Sequence, residues 1–169
     1  MKSRADFVSE VDLGAEARIG EYLLDRIPDA LVLGEELTPG AASTDGIVFV
    51  VDPLDGTTNF AHGIPIFCSS LALEIDGEAV VGAVFDPMRQ ELFTAERGVG
   101  AWLNGAPLRV SAAERLIDAV LVTGFPYDVH QRVEEIVGLF AEFVGRARAV
   151  RRLGSAAIDL CYVAAGRLD

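Results

Sequence analysis

Residues 47–60 read Ile-Val-Phe-Val-Val-Asp-Pro-Leu-Asp-Gly-Thr-Thr-Asn-Phe, an apolar run that passes directly into a polar segment. The first five residues are rich in β-branched side chains and do not alternate with polar ones, which is typical of a strand covered on both faces. Pro53 cannot donate a backbone hydrogen bond, so the strand is predicted to stop at Asp52-Pro53. Asp55 follows one tight turn later, and its carboxylate and that of Asp52 can therefore face one point.

Two carboxylates held close together favour a cation between them. At a separation of about 4 Å they repel by roughly 4 kcal/mol at an effective dielectric constant near 20. Oxygen ligands from Asp52, Asp55 and a backbone carbonyl suit Mg²⁺ or Mn²⁺ rather than zinc, and neither histidine lies close enough in sequence to argue otherwise. Gly56-Thr57 then offers adjacent backbone N–H groups for a phosphate. The alternative interpretation is an ordinary Asx turn, but the whole run through Phe60 favours the metal site.

A second acidic pair follows a short apolar strand, at Gly34-Glu35-Glu36. Adjacent side chains on an extended chain point to opposite sides, so one glutamate of the pair is expected to enter the site. Alone, the pair would be interpreted as a solvated acidic turn. Beside the Asp52 motif, one of the two is predicted to be a third oxygen ligand.

The order of elements predicts a layered α/β sandwich. A helix is expected over Asp12 to Ile27, with Asp12 placed to cap its start. A meander of antiparallel strands follows, near residues 66–75, 79–85 and 91–95. Beyond Ser111 strands and helices alternate, with a helix over Val129 to Val144, which indicates βαβ units. We therefore expect an antiparallel-sheet portion over residues 1–112 and the beginning of a second α/β portion over residues 113–169.

Composition and charge indicate which partners and which cellular compartment to expect. With 26 acidic and 14 basic residues the formal net charge is −12, and this charge repels polyanions, so nucleic acid is not expected as a primary ligand. The apolar stretch Ile64 to Leu73 is too short to span a bilayer, and the N-terminus is charged from Lys2, so we expect a cytoplasmic protein without a membrane partner. Cys68 and Cys161 are interpreted as small buried hydrophobes, with a disulfide as the alternative.

Several motifs in this order resemble the inositol monophosphatase family of the sugar-phosphatase superfamily, over nearly the whole chain. The motifs are Asp52-Pro53-Leu54-Asp55-Gly56-Thr57, Gly34-Glu35-Glu36, Lys2 with Asp6 and Asp12, Gly98-Val99-Gly100-Ala101, Asn104-Gly105, and Arg152-Leu153-Gly154-Ser155-Ala156-Ala157. The Asp52 motif is highly specific for the family. The Glu35 and Lys2 elements are weak evidence alone and become strong evidence when they occur in this order along the chain.

The resemblance implies two metal positions, taken by Mg²⁺ with Mn²⁺ as a possible substitute and with inhibition by Li⁺. Glu35, Asp52 and the carbonyl of Leu54 would bind the activating metal. Asp52 and Asp55 would bind a second metal that supports the leaving oxygen. Two-metal chemistry of this kind lowers the pKa of water and absorbs charge on both reacting oxygens.

The resemblance also implies the catalytic and substrate-binding residues. Thr57 paired with Asp12, together with Glu35, would direct the attacking water, although a helix N-cap explains Asp12 equally well. The N–H groups of Gly56 and Thr57 would hold the phosphate. The alcohol part of the substrate would meet Gly154, Ser155 and Ala156. His62, His130 and Asp159 have no motif support and are left out of the site.

The function implied is Mg²⁺-dependent hydrolysis of a small phosphate monoester, first of all inositol monophosphate. Related substrates are fructose 1,6-bisphosphate, 3′-phosphoadenosine 5′-phosphate and histidinol phosphate, and a non-catalytic metal-binding or interaction fragment is the alternative from another class. The full-length parent is expected to be a homodimer.

The sequence departs from the family pattern at both ends. The family has a long helix ahead of the Lys2 position and a Trp-Asp motif near its C-terminus, whereas the tryptophan here, Trp102, is followed by Leu103. We therefore expect a chain truncated at both ends, whose second metal position lacks one carboxylate and whose phosphatase activity is poor as written.

Overall fold

A large sheet organises the first part of the chain. Within the described residues, 10–38, 45–126 and 128–169, the computed structural model contains a seven-stranded sheet with strand order β1-β2-β3-β4-β5-β6-β7. Its strands are Leu31–Gly34 (β1), Ile47–Asp55 (β2), Cys68–Ile75 (β3), Glu78–Asp86 (β4), Glu91–Glu96 (β5), Gly100–Leu103 (β6) and Ala106–Pro107 (β7). In this sheet β1 and β2 run parallel, and the later neighbours pair antiparallel. The family-like residues Lys2 and Asp6 lie outside the described residues.

The predicted meander is confirmed, and its tight turns have the backbone that their sequences require. Asp76 and Gly77 have φ of 51° and 78°, and Asn104 and Gly105 have φ of 48° and 82°. Positive φ at both central residues is the geometry of hairpin turns whose twist matches that of the flanking strands. The Asx-Gly pairs therefore set the register of the sheet on either side.

Helices pack on this sheet at two places. The helices are Glu10–Arg26 (α1), Thr57–Ala61 (α2), Val133–Val144 (α3) and Ala156–Ala164 (α4). Helix α1 packs against β1 and β2, and α4 packs against β3 and β4. Asp12 lies inside α1, which already includes Glu10, so the N-cap interpretation of Asp12 is wrong.

The predicted helix over residues 129–144 is interrupted. Val129–Gln131 forms a 3₁₀ turn, and Arg132, with φ −130° and ψ 33°, precedes the start of α3. Apolar side chains at helical spacing on both sides of Arg132 made the two pieces look continuous. The spacing of apolar residues does not predict that the backbone of a single residue departs from helical φ and ψ.

The second portion contains the expected βαβ unit. Val120–Val122 (β8) and Ala149–Arg151 (β9) pair parallel, and α3 connects them. The mixed α/β architecture with a mostly antiparallel sheet is thus confirmed. The proposed boundary near residue 112 falls between β7 and β8 and stays a prediction.

Burial along β2 differs from the prediction of a strand covered on both faces. Val48, Phe49 and Val51 are buried, whereas Ile47 and Val50 are each 38% exposed. The physical reason is that the sheet is mainly antiparallel, and such sheets commonly leave part of one face to solvent.

Helix α3 has no fully buried residue, and apolar side chains on α3 and α4 are exposed. They include Val133, Val137, Leu139, Phe143, Val144 and Leu160. Among the described residues, no helix combines the length and the apolar character needed to cross a bilayer.

Asp86, at the end of β4, is the most deeply buried charge of the sheet, with a relative exposure of 0%. Its Oδ1 accepts hydrogen bonds from the backbone N–H groups of Met88 and Arg89, at 2.9 and 3.1 Å. Its Oδ2 accepts a hydrogen bond from the Arg89 guanidinium at 2.9 Å. One carboxylate therefore closes the β4–β5 turn.

Replacing Asp86 should destabilise the fold. Asp86→Ala removes the acceptor for two N–H groups and the partner of Arg89, and we expect the free energy of unfolding to fall by about 3 kcal/mol. The matched control is Glu78→Ala, which breaks the exposed Glu78–Arg97 pair at 3.2 Å and should cost under about 1 kcal/mol. Urea denaturation measures both, and equal losses would contradict the assigned role of Asp86.

Candidate active site

A bulge at the end of β2 brings two carboxylates to the same side of the sheet. Asp52 pairs with Ser70 and Asp55 pairs with Cys68, so Pro53 and Leu54 together oppose a single residue of β3. Residues three apart on a regular strand point to opposite faces, and one inserted residue returns them to the same face. The prediction that the strand stops at Pro53 is wrong, because β2 continues through the bulge to Asp55.

Negative charge accumulates around Asp52. Burial first, then the charges of Glu35 and Asp55 and, to a smaller extent, that of Asp12 together raise the pKa of Asp52 from its ordinary value of 3.8 to about 7. The hydrogen bond from the Leu54 N–H to Asp52 Oδ1, at 3.1 Å, acts in the opposite direction. The carboxylates predicted from the sequence therefore do act on one another.

Of the two adjacent glutamates after β1, Glu35 is the one whose charge reaches Asp52. The backbone N–H of Glu36 donates to Glu16 Oε2 at 2.8 Å, so this part of the turn faces α1. The geometry favours Glu35 as the member of the pair that belongs to the site.

Thr57 and Asp12 are 45 residues apart in sequence and in contact in the structure. Thr57 Oγ1 lies 3.0 Å from Asp12 Oδ1 and 2.9 Å from the carbonyl oxygen of Leu54. A hydroxyl has one proton, so Thr57 donates to one of these acceptors at a time. The dyad suggested by the family resemblance is present as a hydrogen bond.

Asp55 connects the two portions of the chain. Its Oδ2 accepts hydrogen bonds from Ser155 Oγ at 2.7 Å and from the Ala157 N–H at 2.6 Å. Ser155 is also the N-cap of α4, because its side chain accepts from the Ile158 N–H. The start of α4, with Gly154, Ser155 and Ala156, is thereby held against the Asp52 motif.

Gly56 begins α2 in a conformation that excludes side chains. Its φ is 98°, and a Cβ at this position would lie 2.9 Å from the carbonyl oxygen of Ile66. A glycine is therefore needed for the chain to turn directly after Asp55.

Sequence reasoning missed two buried residues of the site. Asn59, 8% exposed, donates to the carbonyls of Ile66 and Leu153 at 2.8 and 2.9 Å, and the second contact spans 94 residues. Glu16 is 3% exposed, and it lies four residues after Asp12 on one face of α1. The four-residue spacing places Glu16 on the same helix face as Asp12, so the sequence could have indicated Glu16. No local sequence pattern predicts the contact of Asn59 with Leu153.

The chemistry of this donor set fits a divalent cation. Across residues 10–38, 45–126 and 128–169, no three His, Cys, Asp or Glu side chains already surround one point as ligands. The carboxylates are nevertheless close enough to raise the pKa of Asp52, and a cation would neutralise that charge. Asp159, omitted from the sequence prediction, adds a buried Oδ1 without a hydrogen-bond partner, and burial and the charge of Asp55 raise its pKa to about 6.

The raised pKa of Asp52 predicts a pH dependence of stability in the metal-free protein. Between about pH 4 and about pH 7 the folded state holds a proton that the unfolded state has lost, so stability falls as the pH rises through this window. Asp52→Asn cannot ionise and should lack this contribution. Urea denaturation in a chelator, at pH 4.5 and 7.5, should show wild type losing stability relative to the variant, and a constant difference would contradict the shift.

The chain is similar to known proteins in sequence and in fold. A sequence model described as the Inositol monophosphatase family matches residues 1–169. An inositol-1-monophosphatase of Rhizobium meliloti is 48% identical over 170 residues, which cover 100% of this chain and 64% of that protein. The crystal structure of extragenic suppressor protein suhB from Bartonella henselae superposes with a TM-score of 0.88 at 44% identity, over 100% of this chain and 65% of that one.

A further relative corrects one prediction. Nus factor SuhB of Pseudomonas aeruginosa is 44% identical over 172 residues, covering 99% of this chain and 64% of that protein. A transcription-factor name on so similar a relative shows that the exclusion of nucleic acid as a primary ligand was wrong. Net charge describes the average over a surface, whereas a partner meets a local patch, so a charge of −12 could not support that exclusion.

The chain spans about 64% of the length of the curated relatives described above. The family match nevertheless covers every residue of the chain, and relatives well above 30% identity match it almost from end to end. The chain belongs to the inositol monophosphatase family, a family of metal-dependent phosphatases.

Proposed function

We propose that this protein is a Mg²⁺-dependent phosphomonoesterase that hydrolyses inositol monophosphate. The observation that carries the proposal is the group of carboxylates around Asp52, placed beside the Thr57–Asp12 hydrogen bond. The name of the Rhizobium relative supports the substrate. Fructose 1,6-bisphosphate, 3′-phosphoadenosine 5′-phosphate and histidinol phosphate are the competing substrates to test beside it.

Four residues would hold the metal. Glu35, Asp52 and the carbonyl of Leu54 form one set, and Asp52 with Asp55 forms the second. All of these ligands are oxygens, which Mg²⁺ and Mn²⁺ prefer. When bound, the cations would lower the pKa of water and neutralise charge on the leaving oxygen.

Thr57 would accept a hydrogen bond from the attacking water. The hydroxyl has a single proton, and both of its contacts, Asp12 Oδ1 and the Leu54 carbonyl, are acceptors. Were the Leu54 carbonyl to hold the cation, Asp12 Oδ1 would remain as the acceptor for the Thr57 hydroxyl proton. The Thr57 lone pairs then remain to receive a hydrogen bond from water and hold it in line with the phosphorus atom.

The phosphate and the alcohol would lie on opposite sides of Asp55. The N–H groups of Gly56 and Thr57 would hold the phosphate. They lie at the N-terminal end of α2, directly after β2 ends at Asp55. Gly154, Ser155 and Ala156 would face the alcohol. Ser155 is 1% exposed, so we assign it the task of holding Asp55, whereas Ala156 is exposed and open to a substrate.

A second candidate function is a role in transcription, which the name of the Pseudomonas relative alone favours. Such a role would use surfaces that need not include the carboxylates. An Asp52→Asn protein, inactive under the first proposal, separates the two functions.

Metal binding should stabilise the folded chain. A ligand at about 100 times its Kd adds about 2.7 kcal/mol, which corresponds to about 5 to 10 °C in Tm for a chain of this size. Differential scanning fluorimetry with Mg²⁺ and Mn²⁺ measures the shift. Asp52→Asn should abolish it, and Asp25→Asn, on the exposed surface of α1, should keep it. An unchanged Tm in the wild type would refute the metal site.

Removal of the Thr57 hydroxyl should act on turnover rather than on metal binding. Thr57→Val is expected to lower kcat for inositol monophosphate by about 100-fold, because the water is no longer held in line and misplacement of a reacting group costs about this factor. The neighbouring Thr58 is exposed, and Thr58→Val should leave kcat within about twofold of wild type. Phosphate release under saturating Mg²⁺ measures both variants. Wild-type turnover by Thr57→Val would remove Thr57 from the mechanism.

A further inference from the structure

Glu16 is a buried carboxylate that the proposed mechanism does not use. It lies on α1 with a relative exposure of 3%. Its Oε2 accepts the N–H of Glu36 and its Oε1 accepts the N–H of Leu37, both at 2.8 Å. Burying a carboxylate is costly unless such charge-assisted hydrogen bonds compensate for lost water. Both hydrogen bonds hold the backbone of the turn that follows β1.

Gly34 shows how closely this carboxylate fits beneath the turn. A Cβ at position 34 would lie 1.8 Å from Glu16 Oε1 and 2.1 Å from Glu16 Cδ. Any side chain there would push the carboxylate out of its place. Glycine at this position is therefore matched to Glu16, beyond any role in ending β1.

The turn is also closed from its other end. The Gly34 N–H donates to Thr38 Oγ1 at 2.8 Å, and that hydroxyl donates to the Val32 carbonyl at 3.0 Å. Glu35 lies between Gly34, which Thr38 holds, and Glu36, which Glu16 holds. Its backbone is thus fixed on both sides, and the direction of its side chain follows from these contacts.

We propose that Glu16 is a positioning residue, which directs Glu35 toward Asp52 by holding the 34–38 turn. The inference rests on the proposed function, since it takes Glu35 as a metal ligand. Asp12 and Glu16, four residues apart on α1, then each hold a different segment of the site. Asp12 holds Thr57 after β2, and Glu16 holds the turn after β1.

The test is a metal titration on a conservative variant. Glu16→Gln keeps the size of the side chain but turns an NH₂ group toward one of the two backbone N–H donors. We expect the affinity for Mg²⁺, measured by calorimetry, to fall about tenfold, the usual scale for a residue that orients a ligand. The matched control is Glu21→Gln, on an exposed position of the same helix, which should retain wild-type affinity.

A double-mutant comparison separates positioning from general loss of structure. In a Glu35→Gln background, which keeps Asp52 and Asp55 and so retains weak binding, Glu16→Gln should have no further effect on affinity. Gly34→Ala should reproduce the loss seen in Glu16→Gln, because it displaces the same carboxylate. Circular dichroism and Tm establish that each variant is folded.

Two outcomes would overturn the proposal: wild-type affinity in Glu16→Gln, or an equal loss with and without Glu35. If the wild type itself binds no Mg²⁺, the metal role of Glu35 fails instead. Amide exchange in metal-free protein then decides whether Glu16 holds the turn. Protection at Glu36 and Leu37 should fall in Glu16→Gln while the β3 and β4 amides keep theirs, and unchanged protection would refute the contact.

Discussion

Repulsion between carboxylates held close together at the end of β2 is the constraint on which this structure depends. Asp52, Asp55 and Glu35 come from the ends of two parallel neighbouring strands, and the charges of Glu35 and Asp55 raise the cost of ionising Asp52. A fold can keep such a group together only if other contacts compensate. Here backbone N–H groups and hydroxyls supply those contacts at Asp52, at Asp55 and at the turn after β1.

The compensating contacts come from distant parts of the chain, and they join the two portions. Asp55 is held by the beginning of α4, and Asn59 donates a hydrogen bond to the carbonyl of Leu153, two residues after β9. The large sheet and the βαβ unit therefore meet at the residues of the proposed active site. A change in the position of either portion would alter the contacts of Asp55 and Asn59.

Local sequence patterns predicted most of the fold. Short strands separated by turn residues such as Asp76-Gly77 indicated the antiparallel meander, because turn chemistry acts over a few residues. The break at Arg132 and the exposure of Val50 were not predictable in this way, since both depend on what packs nearby. Family resemblance identified the Thr57–Asp12 pair, but it did not reveal Glu16 or Asn59, whose importance lies in contacts with backbone groups remote in sequence.

The bulge formed by Pro53 and Leu54 limits how this site can change during evolution. Asp52 and Asp55 share a face because two residues of β2 oppose one residue of β3. Inserting a further residue between them would turn one carboxylate to the opposite face of the sheet, whereas deleting one would remove the bulge and leave both aspartates on the same face at a shorter spacing. Substitutions can tune the chemistry of this segment, whereas an insertion would dismantle the site in one step. New specificities in such a fold must therefore arise from the surrounding turns and from the start of α4, where length can vary without altering the relation between the two aspartates.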